Sequence, residues 1–115
     1  MKLKILFSFF ILLLIIPVND AFSELELLVS NQVYSEGQPF FVYGKGQPDE
    51  TLIIRLFAPD ETIASFDQII TANDGSFNHV LLTWPPSSPS FPFGTYTVEV
   101  ISTEQNGISQ KIDVK

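Results

Sequence analysis

One segment limits the possible folds of this chain more than any other: Gly94-Thr95-Tyr96-Thr97-Val98-Glu99-Val100-Ile101. From Tyr96 onward, Tyr96, Val98 and Val100 fall on one side and Thr97, Glu99 and Ile101 on the other, the two-residue period of a strand with one buried face. A Pro/Gly-rich corner leads into it, and Ser102 to Gly107 lead out of it. It therefore reads as a central strand with a tight corner at each end, and a central strand needs neighbours on both sides.

The rest of the chain offers those neighbours in short pieces. Glu24-Leu25-Glu26-Leu27-Leu28-Val29 reads as an edge strand, because charge on an edge discourages pairing with another copy. Val33 and Tyr34 precede the turn signal Ser35-Glu36-Gly37-Gln38 and tuck an aromatic under one end of the fold. Pro39 to Tyr43 is a strand with proline at its first position, where no ladder donor is lost. Thr51 to Phe57 is a near-continuous apolar, β-branched run; Leu52, Ile54 and Leu56 face inward and Arg55 outward, since an unpaired Arg in a core is expensive. Ile63 to Thr71 is the next strand region, interrupted by Asp67-Gln68. Asn73-Asp74-Gly75 is the strongest hairpin turn, with Gly75 free to take a positive φ. Phe77 to Thr83 returns from it, and a bulge near His79 would reconcile its two apolar phases. Ile108 to Val114 follows a last turn at Glu104 to Gly107. Seven strand candidates, with turns about every ten residues and no amphipathic helix, predict an all-β fold: a seven-stranded antiparallel two-sheet sandwich.

The opening belongs to something else. Lys2 and Lys4 precede an apolar run from Ile5 to Ile16 broken only by Ser8, then Pro17 and small or polar residues, the layout of a secretory signal. The run is shorter than the roughly 20 residues a membrane-spanning helix needs. Residues 1–23 are expected to be a signal helix removed after Ser23, with Ala21 as the second cleavage choice, and residues 24–115 the domain proper. An uncleaved N-terminal anchor is the alternative, and the sole route to a membrane. Either way the body is expected outside the cytoplasm, extracellular or at the cell surface.

Charge and cysteine usage narrow the partners. The whole chain carries a formal −7, and without residues 1–23 only Lys45, Arg55, Lys111 and Lys115 oppose twelve carboxylates. Such a surface repels phosphate backbones, so nucleic acid is excluded as a partner. Small exported domains often depend on disulfides. This chain has no cysteine, and must be held by apolar burial alone.

The cues Tyr34-Ser35-Glu36-Gly37, Phe40-x-Val42-x-Gly44, Asp74-Gly75-Ser76-Phe77 and Gly94-Thr95-Tyr96-Thr97-Val98-Glu99-Val100 occur in that order. Over residues 30–114 the chain resembles immunoglobulin-like and macroglobulin-type sandwich domains of prokaryotic, notably archaeal, cell-surface and secreted proteins. Sandwiches of that type often place a Tyr two residues before a core position, its hydroxyl bonded to a nearby backbone corner; Tyr96 and Val98 match those positions. The resemblance implies structural roles for Tyr96, Val98, Gly94 and Gly75. The chain lacks the disulfide cysteines and third-strand Trp of antibody domains, and the Cys and Gln of thioester-forming macroglobulins.

Candidates for chemistry are few. His79 is the single histidine, and no Gly-x-Ser-x-Gly frames a nucleophile for it. One His and no Cys do not make a zinc site. Asn73-Asp74, Asp60-Glu61 and Asp49-Glu50 are loop carboxylates without calcium-loop spacing, and turn formation accounts for them. No catalytic residue, metal or cofactor is expected. The most suggestive segment is Thr83 to Gly94, where four prolines in twelve residues stiffen the backbone around Trp84, Phe91 and Phe93. Exposed, those rings could stack on a sugar or meet a protein; folded back, they cap the core. The expected role is a non-catalytic exported module engaged in surface or extracellular protein contact. The alternative is a carbohydrate-binding module that uses the Trp84–Phe93 loop, with glycans as partners.

Overall fold

The computed structural model describes residues 24–103 and 105–115. The signal helix expected at 1–23, and Glu104 of the last turn, lie outside the described residues. The described chain is all β: β1 (Glu26–Val29), β2 (Val33–Tyr34), β3 (Pro39–Lys45), β4 (Thr51–Phe57), β5 (Ile63–Ile70), β6 (Ser76–Thr83), β7 (Gly94–Ser102) and β8 (Ile108–Val114). Among the described residues no helix is long and apolar enough to cross a membrane.

These strands form two sheets, one in the order β1-β3-β6 and one in the order β2-β8-β7-β4-β5. The segment read as central, β7, lies between β8 and β4. Its alternation is realised as written: Tyr96, Val98 and Val100 are fully buried. Across the sandwich they meet Leu27, Phe40, Val42 and Phe77, while Leu52, Ile54 and Leu56 from β4 and Ile112 and Val114 from β8 extend the same core. Each fully buried Val, Leu or Ile side chain contributes about 1.5–3 kcal/mol, which is how a chain without disulfides holds two sheets together.

Seven strands, all antiparallel, were expected; eight are present among the described residues, and β2 runs parallel to β8. The extra strand arises before Pro39, where the chain leaves one sheet and joins the other. Ser30, Asn31 and Gln32 break the run after β1, and the buried Tyr34 ring folds its hydroxyl back onto them: it lies 3.1 Å from Ser30 Oγ and accepts the Asn31 amide at 3.1 Å. The freed backbone then bonds β8, with Asp113 N–H donating to Gln32 O and Lys115 N–H to Tyr34 O.

The bulge expected near His79 lies two residues further on. Phe40 pairs with Leu82 and Phe41 with Val80, so Leu81 is the extra residue, while His79 stays in regular register opposite Val42. With the bulge there, consecutive Leu81 and Leu82 both pack against the core. A second register shift leaves Ala64 unpaired between Leu56↔Ser65 and Phe57↔Ile63.

One tip of the sandwich is tied by polar groups. Gly75 takes φ 86° in the β5–β6 hairpin and its carbonyl accepts the Gly46 amide at 2.8 Å. Glu50, placed in an open loop by sequence reasoning, is buried. Its carboxylate accepts the Gln47 amide and the Ser102 hydroxyl, and its own amide donates to Thr71 Oγ1 at 2.7 Å. A buried carboxylate is tolerable only when its lone pairs are met in this way.

Candidate functional site

The proline-rich segment folds back onto the domain. Its backbone is clipped to the turn before β3, where Trp84 N–H donates to Gln38 O and Gly37 N–H to Trp84 O. Trp84 is only 2% exposed. Its ring centroid lies 5.0 Å from that of Tyr96, 5.4 Å from Phe40 and 5.9 Å from Tyr34. Among the described residues the indole Nε1–H has no hydrogen-bond partner, and the contacts that hold the ring there are apolar and edge-to-face. Phe91 is half-buried against the core, and Phe93 is 59% exposed. The three aromatics are thus not brought together on one platform. Ser88 and Phe91 exchange backbone bonds of 3.1 and 3.2 Å, which gives the loop its bend.

At the exit of that loop, Tyr96 Oη donates to Pro92 O at 2.7 Å. Burial, and then the charge of Asp60, push the Tyr96 phenol above its usual range. Gly94 has φ 143°, and a Cβ there would press on the Pro59 ring. The turn after β4, through Ala58, Asp60 and Thr62, forms one wall of a cleft of about 290 Å³, and Ser90 and Phe91 line it from the proline-rich segment.

The loop carboxylates are occupied with their own turns. Asp60 Oδ1 accepts the Thr62 amide and hydroxyl at 3.1 and 2.6 Å. Asp74 Oδ1 does the same for Ser76 at 2.9 and 2.6 Å. Hydrogen bonds from these side chains and amides hold both carboxyls below the ordinary Asp range. His79 lies 2.8 Å from Asp67 Oδ2. That contact joins β6 of one sheet to β5 of the other, and it uses the one histidine as an inter-sheet link. The Gln68 amide and then His79 lower the Asp67 carboxyl below its usual range, so the carboxylate accepts and the imidazole N–H donates.

A different surface was missed by sequence reasoning: the outward face of β5 and β4. Phe66 is 70% exposed and Ile70 69% exposed, with Ile53 and Ile63 also exposed beside them. Pairing explains their orientation, because Asp67 lies opposite inward-facing Ile54 and Phe66 opposite outward-facing Arg55. Arg55 bonds Glu99 on β7 across the same face and lies over the Phe57 ring at 5.1 Å. The available signal was the phase of Ile63-Ala64-Ser65-Phe66-Asp67-Gln68-Ile69-Ile70. Once Asp67 takes the inner side of β5, half-exposed at the rim of the sheet beside His79, Phe66 and Ile70 have to face water.

No family model matches the sequence. The chain is 30% identical over 102 residues to S-layer protein B of Metallosphaera sedula, a match that takes in 87% of this chain and 24% of that protein. This chain therefore spans about a quarter of the length of that relative. In three dimensions it is similar to part of a carbohydrate acetylesterase from Xanthomonas citri, with TM-score 0.54 and 17% identity over 79% of this chain and 18% of that one. It also matches part of a β-glucosidase from Listeria innocua, with TM-score 0.49 and 16% identity over 80% of this chain and 16% of that one. The acetylesterase likeness is one of fold alone.

Proposed function

We propose that this chain is a non-catalytic, exported immunoglobulin-like module whose role is protein contact at a cell surface or in an extracellular assembly. The observation that carries the reading is the 30% identity to an S-layer protein across most of this chain. Strand order supports the immunoglobulin-like part. A first strand divided between the two sheets, β1 beside β3 and β2 beside β8, with β7 flanked by β8 and β4, follows the immunoglobulin plan, as does a Tyr bonded to an upstream corner. No catalytic role is assigned to His79 and Asp67, whose Nε2–Oδ2 contact joins the two sheets, nor to Asp60 and Asp74, whose carboxylates accept from their own turns.

The test is labelling of intact native cells with a membrane-impermeant amine reagent, for which Lys45, Lys111 and Lys115 are exposed, followed by amine cross-linking of the envelope. Labelled chain cross-linked to an envelope protein is the expected outcome. Chain recovered unlabelled from the cytosol would overturn the reading.

A second reading, glycan binding, is favoured by exposed Phe93, which lines a cleft with Thr95, Asp113 and Lys115, an aromatic ring beside hydroxyl, carboxylate and amine groups. Buried Trp84 has no part in it. A glycan array with wild type and Phe93→Ala decides: binding lost in the variant supports it, and binding by neither ends it.

A further inference from the structure

The outward face of the larger sheet carries a second cleft next to the one at Phe93. Its floor is one cross-strand row, in which Phe57 of β4 pairs with Thr97 of β7 and Thr97 with Lys111 of β8. The turn after β4 supplies a wall through Pro59 and Glu61, and the volume is about 530 Å³, inside the roughly 300–1,000 Å³ range of ligand pockets. Thr95 lines this cleft and also the Phe93 cleft of about 370 Å³, so the two meet there. They repeat one set of groups. The first offers the Phe57 ring, the Lys111 amine and the Glu61 carboxylate; the second offers the Phe93 ring, the Lys115 amine and the Asp113 carboxylate.

The first cleft is built from groups that the fold itself does not use. Arg55, bonded to Glu99, lies over the Phe57 ring at 5.1 Å and fixes it. Among the described residues, the side chains of Thr97, Lys111 and Glu61 have no hydrogen-bond or ion-pair partner. Glu61 takes φ 70°, a left-handed backbone that glycine or asparagine adopts more readily. Its amide closes the turn onto Ala58 O at 2.8 Å. A glycine there would make the same bond, so turn geometry does not account for a glutamate.

Charge selects the ligand. Residues 24–115 hold four cationic side chains, and three of them, Arg55, Lys111 and Lys115, stand along this groove. Glu99, Glu61 and Asp113 match them, so the groove is balanced on a chain that carries a formal −7. Balanced charge gives no net attraction to an anion or a cation. It suits a neutral molecule with an apolar face for the ring, and with hydroxyls that donate to a carboxylate and accept from an amine. That is the chemistry of a hexose.

We propose that the Phe57 cleft is a sugar subsite, and that with the Phe93 cleft it takes two adjoining units of a neutral hexose glycan. This deepens the glycan-binding reading and rests on it.

The test uses the full-length protein in mild detergent on an array of immobilised neutral hexose mono- and disaccharides. Wild type is expected to bind a disaccharide at least about tenfold more tightly than its monosaccharide, and Phe57→Ala and Lys111→Ala each to lose about that factor, the order that one stacked ring or one charge-assisted bond carries. Unchanged Trp84 fluorescence reports folding. Glu61→Gly is expected to weaken binding without lowering the thermal midpoint, since it removes the carboxylate and relaxes the backbone; a merely structural Glu61 would leave binding alone. Binding that is lost in Phe93→Ala but untouched in Phe57→Ala, Lys111→Ala and Glu61→Gly overturns the proposal and leaves the glycan-binding reading with one subsite. No binding by wild type ends both. Envelope cross-links lost in Phe57→Ala, without sugar binding by wild type, would make the groove a protein-contact surface instead.

Discussion

At the scale of single residues, several polar side chains are engaged in holding the fold. Tyr96 is an example, since its ring is core and its hydroxyl closes the Pro92 corner. Tyr96→Phe keeps the ring and leaves the Pro92 carbonyl without that donor, and is expected to cost about 1 kcal/mol, read as a lower urea midpoint at unchanged slope. The aspartates set the pH response. Asp60, Asp67 and Asp74 are all held below the ordinary Asp range by hydrogen bonds made in the folded chain. A lowered folded-state pKa means that the stabilisation is fully present above the unfolded value, about 3.9, and is lost as pH falls through the lower folded values. The urea midpoint is therefore expected to be flat near neutrality and to fall in acid below about pH 4. Asp67→Asn should make that fall shallower, and an unchanged acid slope would remove Asp67 from the account.

At the scale of elements, turns and edges carry different information. The β5–β6 hairpin depends on Gly75, whose φ of 86° is left-handed and whose added Cβ would overlap the Gly46 carbonyl oxygen. Gly75→Ala is expected to destabilise by about 2 kcal/mol, the left-handed penalty of roughly 1–2 kcal/mol plus the displacement of Gly46; thermal denaturation measures it. The edges on the β5–β6 side lack outward charge, whereas Glu26 marks the short edge strand on the other. Across the outward face of β4 and β7, the Arg55–Glu99 pair is partly solvated. A double-mutant cycle with Arg55→Ala and Glu99→Ala should return a coupling of about 0.5 kcal/mol that shrinks with added salt.

For the whole molecule, an acidic surface on a small sandwich opposes any homotypic contact. Screening should relieve this, because the Debye length falls from about 10 Å at 0.1 M salt to about 3 Å at 1 M. Any self-association of the chain is therefore expected to tighten as salt rises, and sedimentation at both ionic strengths measures the change; weakening with salt would point to charge pairing instead. Much of the fold was legible before any coordinates, because strand alternation and turn chemistry are local. The faces of Tyr96, Val98 and Val100 and of Leu52, Ile54 and Leu56 follow from a two-residue period, and the hairpin at Gly75 from a dihedral that few residues tolerate. Sheet membership is not local. That β1 and β2 belong to different sheets depends on the Tyr34 hydroxyl meeting Ser30 and Asn31 while β8 waits alongside. Whether Trp84 faced water or the core depended on Tyr34, Phe40 and Tyr96 arriving from three separate strands to enclose it. That Asp67 meets His79 likewise depended on the two sheets coming together. Sequence alone therefore determined an all-β chain and which positions of most strands turn inward. Only tertiary structure decided which edges stay open and which aromatics face solvent, because those outcomes belong to pairs of segments far apart in the chain.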